Sequence, residues 1–330
     1  MRALDRAGRA ALKRWVAEAL VEARFDYRKS LYVMEELLHL SGRVKRLSPR
    51  GALALWRESD AAADVAGHPL LLYMHFPYCR FRCVFCHTSL EPLGKPDDAR
   101  RYVEDSRREL ECFAPALEGR SCALWRVGGG TPSLLDSASL ERWLEPAARR
   151  FSFSKDSVRT IEFHPASTDR VKLALVKRLG FDRVSFGVQS MSPDVLARVN
   201  RGYQDPAMVR RSIGWARRTG FRVVNADLIV GLLGESVESF FDGFEAVADT
   251  RPTSITVYCL DWASAYARAT GLPAGEYERY REKLLPEVIE RLPGVAQRAG
   301  YWVETFWPQR VWCFVARGHE APHEEHDNDG

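Results

Sequence analysis

The chain has 330 residues, 46% of them hydrophobic and 28% charged, with a formal net charge of +4. This is the balance of a globular protein with one large domain and appendages, and the charge is too mild to argue for a nucleic-acid partner. No apolar run approaches the length of a membrane span, and Arg2 and Arg6 precede no apolar signal core, so a cytoplasmic chain with no membrane span is expected.

Residues 1–66 read as a helical N-terminal extension. Leu12, Trp15, Val16 and Ala19 recur at helical spacing, followed by Leu31, Met34, Leu37 and Leu38. A helical appendage packed on the main domain is favoured over a membrane-surface helix. Residues 67–265 form the core. Strands are predicted over 70–74, 122–127, 158–163, 183–188, 222–230 and 254–259, with helices between them, the first capped by Asp97. Six such alternations specify a parallel α/β architecture. Residues 266–317 read as a long helix interrupted near Pro286 and Pro293, then a strand over 301–305, with pattern lost from Phe306. Residues 318–330, with His319, His323 and His326, are expected to be a disordered tail rather than a metal site.

The most informative segment follows the first strand. Cys79, Cys83 and Cys86 form a Cys-x3-Cys-x2-Cys run. Three thiolates on one compact loop can ligate three irons of a [4Fe-4S] cluster and leave the fourth iron open to a small molecule. A structural zinc site asks for four ligands, and His87 adjoins Cys86 too closely to turn to the same metal. A disulfide framework does not suit a chain of this length with seven cysteines and no secretory signal. Cys112, Cys122, Cys259 and Cys313 are scattered and read as ordinary thiols.

The other chemistry-bearing residues fall at predicted strand ends, where parallel α/β barrels place their sites. Gly128, Gly129, Gly130 and Thr131 follow strand two, Glu162 ends strand three, Gln189 ends strand four, and Asp227 lies near the end of strand five. Plainer readings exist for each: a tight turn for the glycines, a surface carboxylate for Glu162, and a buried ion pair between Arg201 and Asp227.

The cysteine run, its preceding Tyr73-Met74-His75-Phe76-Pro77, the Gly128–Pro132 turn, Thr160–Pro165, Arg183–Ser190, Val199-Asn200-Arg201 and Asn225–Leu232 occur in an order that resembles the radical S-adenosylmethionine (SAM) superfamily. Within it they look like the branch of the oxygen-independent coproporphyrinogen oxidase. The resemblance covers roughly residues 70–262. It implies a partial (β/α)6 TIM-like radical SAM barrel, a [4Fe-4S] cluster on the three cysteines and SAM as cofactor. It also implies that Tyr73, Gly129 and Glu162 contact the cluster-bound SAM. Phe85, Gly130, Thr131, Gln189, Arg201 and Asp227 match positions that contact a second SAM, with Asp261 a weaker match.

Three departures from the oxidase stand out: Thr88 where that enzyme has a further cysteine, Leu233 where a proline is usual, and no recognisable counterpart of its C-terminal domain within the 330 residues. The expectation is therefore a methyltransferase-like enzyme. It would use two SAM molecules to methylate or cyclopropanate an unsaturated carbon of a natural-product precursor. The alternatives are coproporphyrinogen oxidase-like or haem-degrading porphyrin chemistry, a haem chaperone without catalysis, and an inactive relative. A small-molecule substrate and an electron donor such as flavodoxin or ferredoxin are the implied partners. Trp125, Tyr258, Asp261 and Trp262 are candidate substrate-pocket residues by strand position.

Overall fold

The computed structural model describes residues 69–319 together with Gly51 and Ala54, apart from 87, 89–90, 93–94, 115–116, 118–119, 261–265, 267–270, 274 and 308–310. By internal contacts the chain divides into Met1–Val65 and Ala66–Gly330, and the second unit holds every element and site residue named below. The expected helical extension over 1–66 and nearly all of the 318–330 tail lie outside the described residues, as do Asp261 and Trp262.

Six parallel strands run in chain order: β1 (Leu70–Phe76), β2 (Ser121–Gly129), β3 (Ser152–Phe163), β4 (Arg183–Gln189), β5 (Val223–Val230) and β6 (Ser254–Cys259). Two more, β7 (Tyr301–Trp307) and β8 (Val311–Ala316), extend the sheet antiparallel, so its order is β1-β2-β3-β4-β5-β6-β8-β7. β1 and β7 are the two edges, which makes the barrel partial.

The helices are α1 (Pro96–Phe113), α2 (Ser137–Arg150), α3 (Arg170–Arg178), α4 (Pro193–Arg198), α5 (Pro206–Thr219), α6 (Val237–Ala248) and α7 (Glu276–Arg298). Their starts are written locally. Asp136, Asp169, Ser192, Asp205 and Ser236 each accept a backbone N–H of the first turn, which satisfies a donor the helix cannot. α1 begins earlier than expected, because Pro96 takes the first helical position and leaves Asp97 inside the first turn. α2 buries Leu140, Trp143, Leu144 and Ala147, spaced three and four apart, against the sheet.

Strand register fixes two unlike faces. In-register partners share a face, and one face runs Tyr73–Arg126–Thr160, Glu162–Ser185–Asn225–Ser254 and Gly187–Asp227–Thr256–Cys313. This lumen face is mostly polar. The alternate residues, among them Met74, Trp125, Val127, Ile161, Val184, Phe186, Val224, Leu228, Ile255, Val257 and Phe314, are buried in the core shared with the helices. A parallel sheet packed on both sides reads as unbroken hydrophobic runs. Here a period of two survives because one side encloses a cavity.

Two expectations about the C-terminal region are corrected. α7 runs unbroken through Pro286 and Pro293. The stretch after Phe306 carries β8, whose Val311–Val315 are all buried. Val-Trp-Cys-Phe-Val is a continuous apolar run with no alternation, so its periodicity cannot announce a strand.

Candidate active site

The C-terminal ends of β1 to β6 open into one pocket of about 610 Å³, lined by Cys79, Cys83 and Cys86 together with Phe85, Gly129, Gly130, Thr131, Glu162, Gln189, Arg201 and Asp227. Of the described residues matched to cluster or SAM contacts, Tyr73 alone lies outside that lining. It is 55% exposed on β1 and its hydroxyl hydrogen-bonds His75 Nδ1 at 3.1 Å. It still faces the lumen: desolvation first, and then the Glu162 carboxylate, raise its phenol to about 12.

The cysteine loop is tied down from two sides. Gly130 and Thr131 donate backbone N–H groups to Phe76 and Tyr78 carbonyls at 2.6 and 2.9 Å, and Thr131 Oγ1 lies 3.1 Å from Cys79 Sγ. On the other side Arg201 Nη1 donates to Cys83 Sγ at 3.7 Å. Burial pushes the Cys79 and Cys83 thiols up, opposed by the Thr131 hydrogen bond at the first and by the Arg201 charge at the second. Bound iron would reverse that balance, since a ligating thiol is deprotonated outright. Among the described residues no three Cys, His, Asp or Glu side chains converge on one point as a mononuclear ion requires. A [4Fe-4S] cluster asks for no such convergence, because each thiolate holds a different iron.

The glycines serve packing as well as access. A Cβ on Gly128 would lie 2.8 Å from the Glu162 carboxylate, and one on Gly130 would lie 2.5 Å from the Tyr78 carbonyl oxygen. Gly129 adopts φ +103°, which side chains disfavour. The tight-turn reading and the pocket-lining reading therefore hold together: the same turn supports the cysteine loop and seats Glu162.

Gln189 carries the clearest mark of a ligand. It adopts φ +70° where the register of β4 against β5 slips, and its buried Oε1 has no partner. The Nε of Arg201 is likewise buried and unpaired. Strained backbone and orphaned polar atoms, both at one pocket, fit groups that wait for a bound molecule.

The plainer reading of an Arg201–Asp227 ion pair is not what the structure shows. Arg201 donates instead to Gly187 O, Gln204 Oε1 and Cys83. Asp227 accepts from Ser185 Oγ and Asn225 Nδ2, each at 2.7 Å, and Asn225 Oδ1 in turn accepts from Ser254 and Thr256. Burial raises the Asp227 carboxyl, countered by Ser185 and by the charge of Arg183. Trp125 is also reassigned. Its neighbour Arg126 takes the lumen, so the indole turns outward, stacks on Phe153 and Phe181, and donates to Met74 sulfur.

Sequence reasoning missed a pair that packs beside the cysteine loop, where Tyr203 meets Phe81. His164 Nδ1 accepts from Ala166 N at 3.0 Å, which leaves the ring proton on Nε2, 3.2 Å from the Tyr203 hydroxyl. Burial, helped by Arg201, drives the His164 pKa down to about 2, so the ring stays neutral. Phe81, Tyr203 and His164 form a row of rings with centroids 4.9 and 5.3 Å apart. The available signal was position: His164 directly follows β3 and Tyr203 lies two residues beyond Arg201.

Comparison with known proteins agrees with this geometry. Residues 73–246 match the Radical SAM superfamily, more than half of the chain. The oxygen-independent coproporphyrinogen III oxidase of Escherichia coli (strain K12) is 32% identical over 199 residues, 60% of this chain and 43% of that protein. The heme chaperone HemW of Mycobacterium tuberculosis (strain CDC 1551 / Oshkosh) is 30% identical over 261 residues, 78% of this chain and 65% of that one. The chain thus spans less than two thirds of either relative. The solved structure of coproporphyrinogen III oxidase (HemN) from Escherichia coli superposes with a TM-score of 0.68 at 27% identity, covering 84% of this chain and 60% of that one. Among the described residues no helix is long and apolar enough to cross a membrane.

Proposed function

The chain belongs to the radical SAM superfamily, whose cofactors are a [4Fe-4S] cluster and SAM, and from that premise we propose that it abstracts a hydrogen atom from an organic substrate in the manner of the coproporphyrinogen oxidase branch. The observation that supports this is the meeting of three loop thiols with six strand-end residues, Gly129, Gly130, Thr131, Glu162, Gln189 and Asp227, around one pocket of about 610 Å³, within the range of roughly 300–1,000 Å³ usual for small-molecule sites. Cys79, Cys83 and Cys86 would hold the cluster, which together with SAM supplies a 5′-deoxyadenosyl radical.

The protein's own groups bind and orient. Glu162, seated over Gly128, accepts hydrogen bonds from the SAM ammonium. Asp227, fixed by Ser185 and Asn225, accepts from ribose hydroxyls. The orphaned Gln189 Oε1 takes a donor from the ligand, and Arg201 offers a cation to a carboxylate. Neutral His164 and Tyr203 line the pocket beside the cysteine loop without adding charge. The reductant in this reading is a one-electron donor such as flavodoxin or ferredoxin, and the compartment is the cytoplasm.

The methyl-transfer expectation gives way to oxidase-like chemistry, because the relatives are oxidases and a haem chaperone. It stands as a second reading on one observation: Phe85, Gly130, Thr131, Gln189, Arg201 and Asp227, the positions matched to a second SAM, all line the same pocket. A single anaerobic assay separates the readings. The reconstituted protein is given SAM, dithionite and coproporphyrinogen III, and products are quantified by mass spectrometry. Hydrogen abstraction predicts 5′-deoxyadenosine in step with substrate oxidation. S-adenosylhomocysteine alongside 5′-deoxyadenosine would move the assignment to methyl transfer. Stoichiometric haem binding with neither product would sink the enzymatic reading in favour of haem delivery.

A further inference from the structure

Three consecutive residues grip three consecutive residues of the cysteine loop. Val199 O accepts from Val84 N at 3.2 Å, Asn200 Nδ2 donates to Arg82 O at 2.8 Å, and Arg201 Nη1 donates to Cys83 Sγ at 3.7 Å. Asn200 reaches its partner from a left-handed φ of +60°, which asparagine tolerates better than most residues. The grip therefore centres on Cys83, and its charged member is Arg201, only 5% exposed.

What holds Arg201 in that pose is Gln204, itself 2% exposed. Gln204 Oε1 accepts from Arg201 Nη2 at 2.8 Å, while Gln204 Nε2 donates to Val188 O at 2.7 Å. The backbone closes the turn, with Gln204 N donating to Arg201 O at 2.9 Å. Both ends of the amide are thus used: one braces the guanidinium and the other fixes the amide to the end of β4. With one Nη bound to Gln204 and to Gly187 O, the other is aimed at sulfur. A planar fork makes this a directional constraint, which a lysine could not reproduce.

Hydrogen bonds and positive charge at a ligating sulfur stabilise the more negative, reduced state of an iron–sulfur cluster. Resting on the reading that Cys83 ligates the cluster, we infer that Gln204 is a positioning residue which fixes Arg201 against the Cys83 sulfur and so raises the cluster's reduction potential. Gln204 does not line the pocket and acts through Arg201. The same contact links Arg201, a pocket-lining cation, to the redox centre, so electron uptake depends on how the guanidinium is held.

The test is a redox titration of the full-length reconstituted protein, without SAM, followed by electron paramagnetic resonance. Wild type is compared with Gln204→Met, Arg201→Met and the double variant. Each single variant is expected to lower the ratio of reduced to oxidised cluster at fixed potential by about tenfold, equivalent to 59 mV for one electron. The double variant is expected to match Arg201→Met, because Gln204 works through that residue. Unchanged potentials in the single variants, or an equal shift from Gln204→Met in the Arg201→Met background, would overturn the inference. Iron and sulfide content is read first: a wild type that assembles no cluster defeats the cysteine assignment and the inference with it. Should the variants load no cluster, wild type carrying guanidino-15N arginine decides. A 15N coupling to the reduced cluster is expected, and its absence overturns the contact.

Discussion

The two faces of the sheet use the same strands for opposite ends. The outer face carries Trp125, Val127, Ile161, Phe186 and Val224, buried in the core shared with the helices. The lumen face, one residue away along each strand, carries Arg126, Glu162, Ser185 and Asp227 around the pocket and its hydrogen-bond network. Burial is extensive on both, but on the outer face it is apolar and stabilises the fold. On the lumen face it takes charged and polar groups out of water, and the orphaned Gln189 Oε1 costs stability until a ligand meets it. Residues one apart in sequence should therefore fail in different assays when mutated.

The sharpest break comes at the cysteine loop. Cys83→Ser should abolish SAM cleavage and the iron–sulfur absorbance, while the unfolding midpoint of the cluster-free protein stays near that of wild-type apoprotein. A large loss of apoprotein stability would show that the loop is a structural element instead. On the outer face, Trp125→Ala removes an indole stacked on Phe153 and Phe181 and should cost about 3–5 kcal/mol in denaturant unfolding.

Glu235 sharpens the comparison through pH. It is buried in the turn after β5, accepts from Gly231 N at 2.9 Å, and burial raises it to about 8. The folded state thus holds a proton that the unfolded chain releases near pH 4.5. Its contribution is fully present below about pH 4.5 and is lost as pH rises through about 8. Urea midpoints measured from pH 5 to 9 should fall by an amount worth a few kcal/mol across that window. Glu235→Gln keeps the acceptor for Gly231, so it should flatten the profile and be the more stable protein at pH 8. A wild-type profile as flat as the variant's would show that Glu235 is solvated.

Two smaller effects complete the series. Asp227→Asn should weaken SAM binding about tenfold, roughly 1.4 kcal/mol, without lowering thermal stability, as equilibrium dialysis and calorimetry would show. Arg222 pairs with Asp182 at 2.8 Å on the exposed rim, and Arg222→Ala should change stability by less than about 1 kcal/mol. Equal losses from Asp227→Asn and Trp125→Ala in the same unfolding assay would erase the distinction between the faces.

The six parallel strands were legible because their apolar residues alternate or cluster between capping and turn residues, signals that lie within a few positions of one another. The cysteine loop was legible for the same reason: three candidate ligands within eight residues need no tertiary information. The gathering of the candidate residues at strand ends was likewise readable, since the order of elements places them at one end of a parallel sheet. The strand β8 was not, because an unbroken apolar run says that it is buried and not what it pairs with. The path of α7 through Pro286 and Pro293 was hidden too: proline is penalised locally, and only packing of Leu284, Leu285, Val288 and Leu292 outweighs that penalty. The true partners of Arg201 were likewise out of reach. Cys83 is 118 residues away in sequence, and a guanidinium can serve many acceptors. The sequence determined the radical SAM class of the chain, through local spacing; the tertiary structure decided which side chains meet around the pocket, because long-range contacts depend on where the strands bring their ends together.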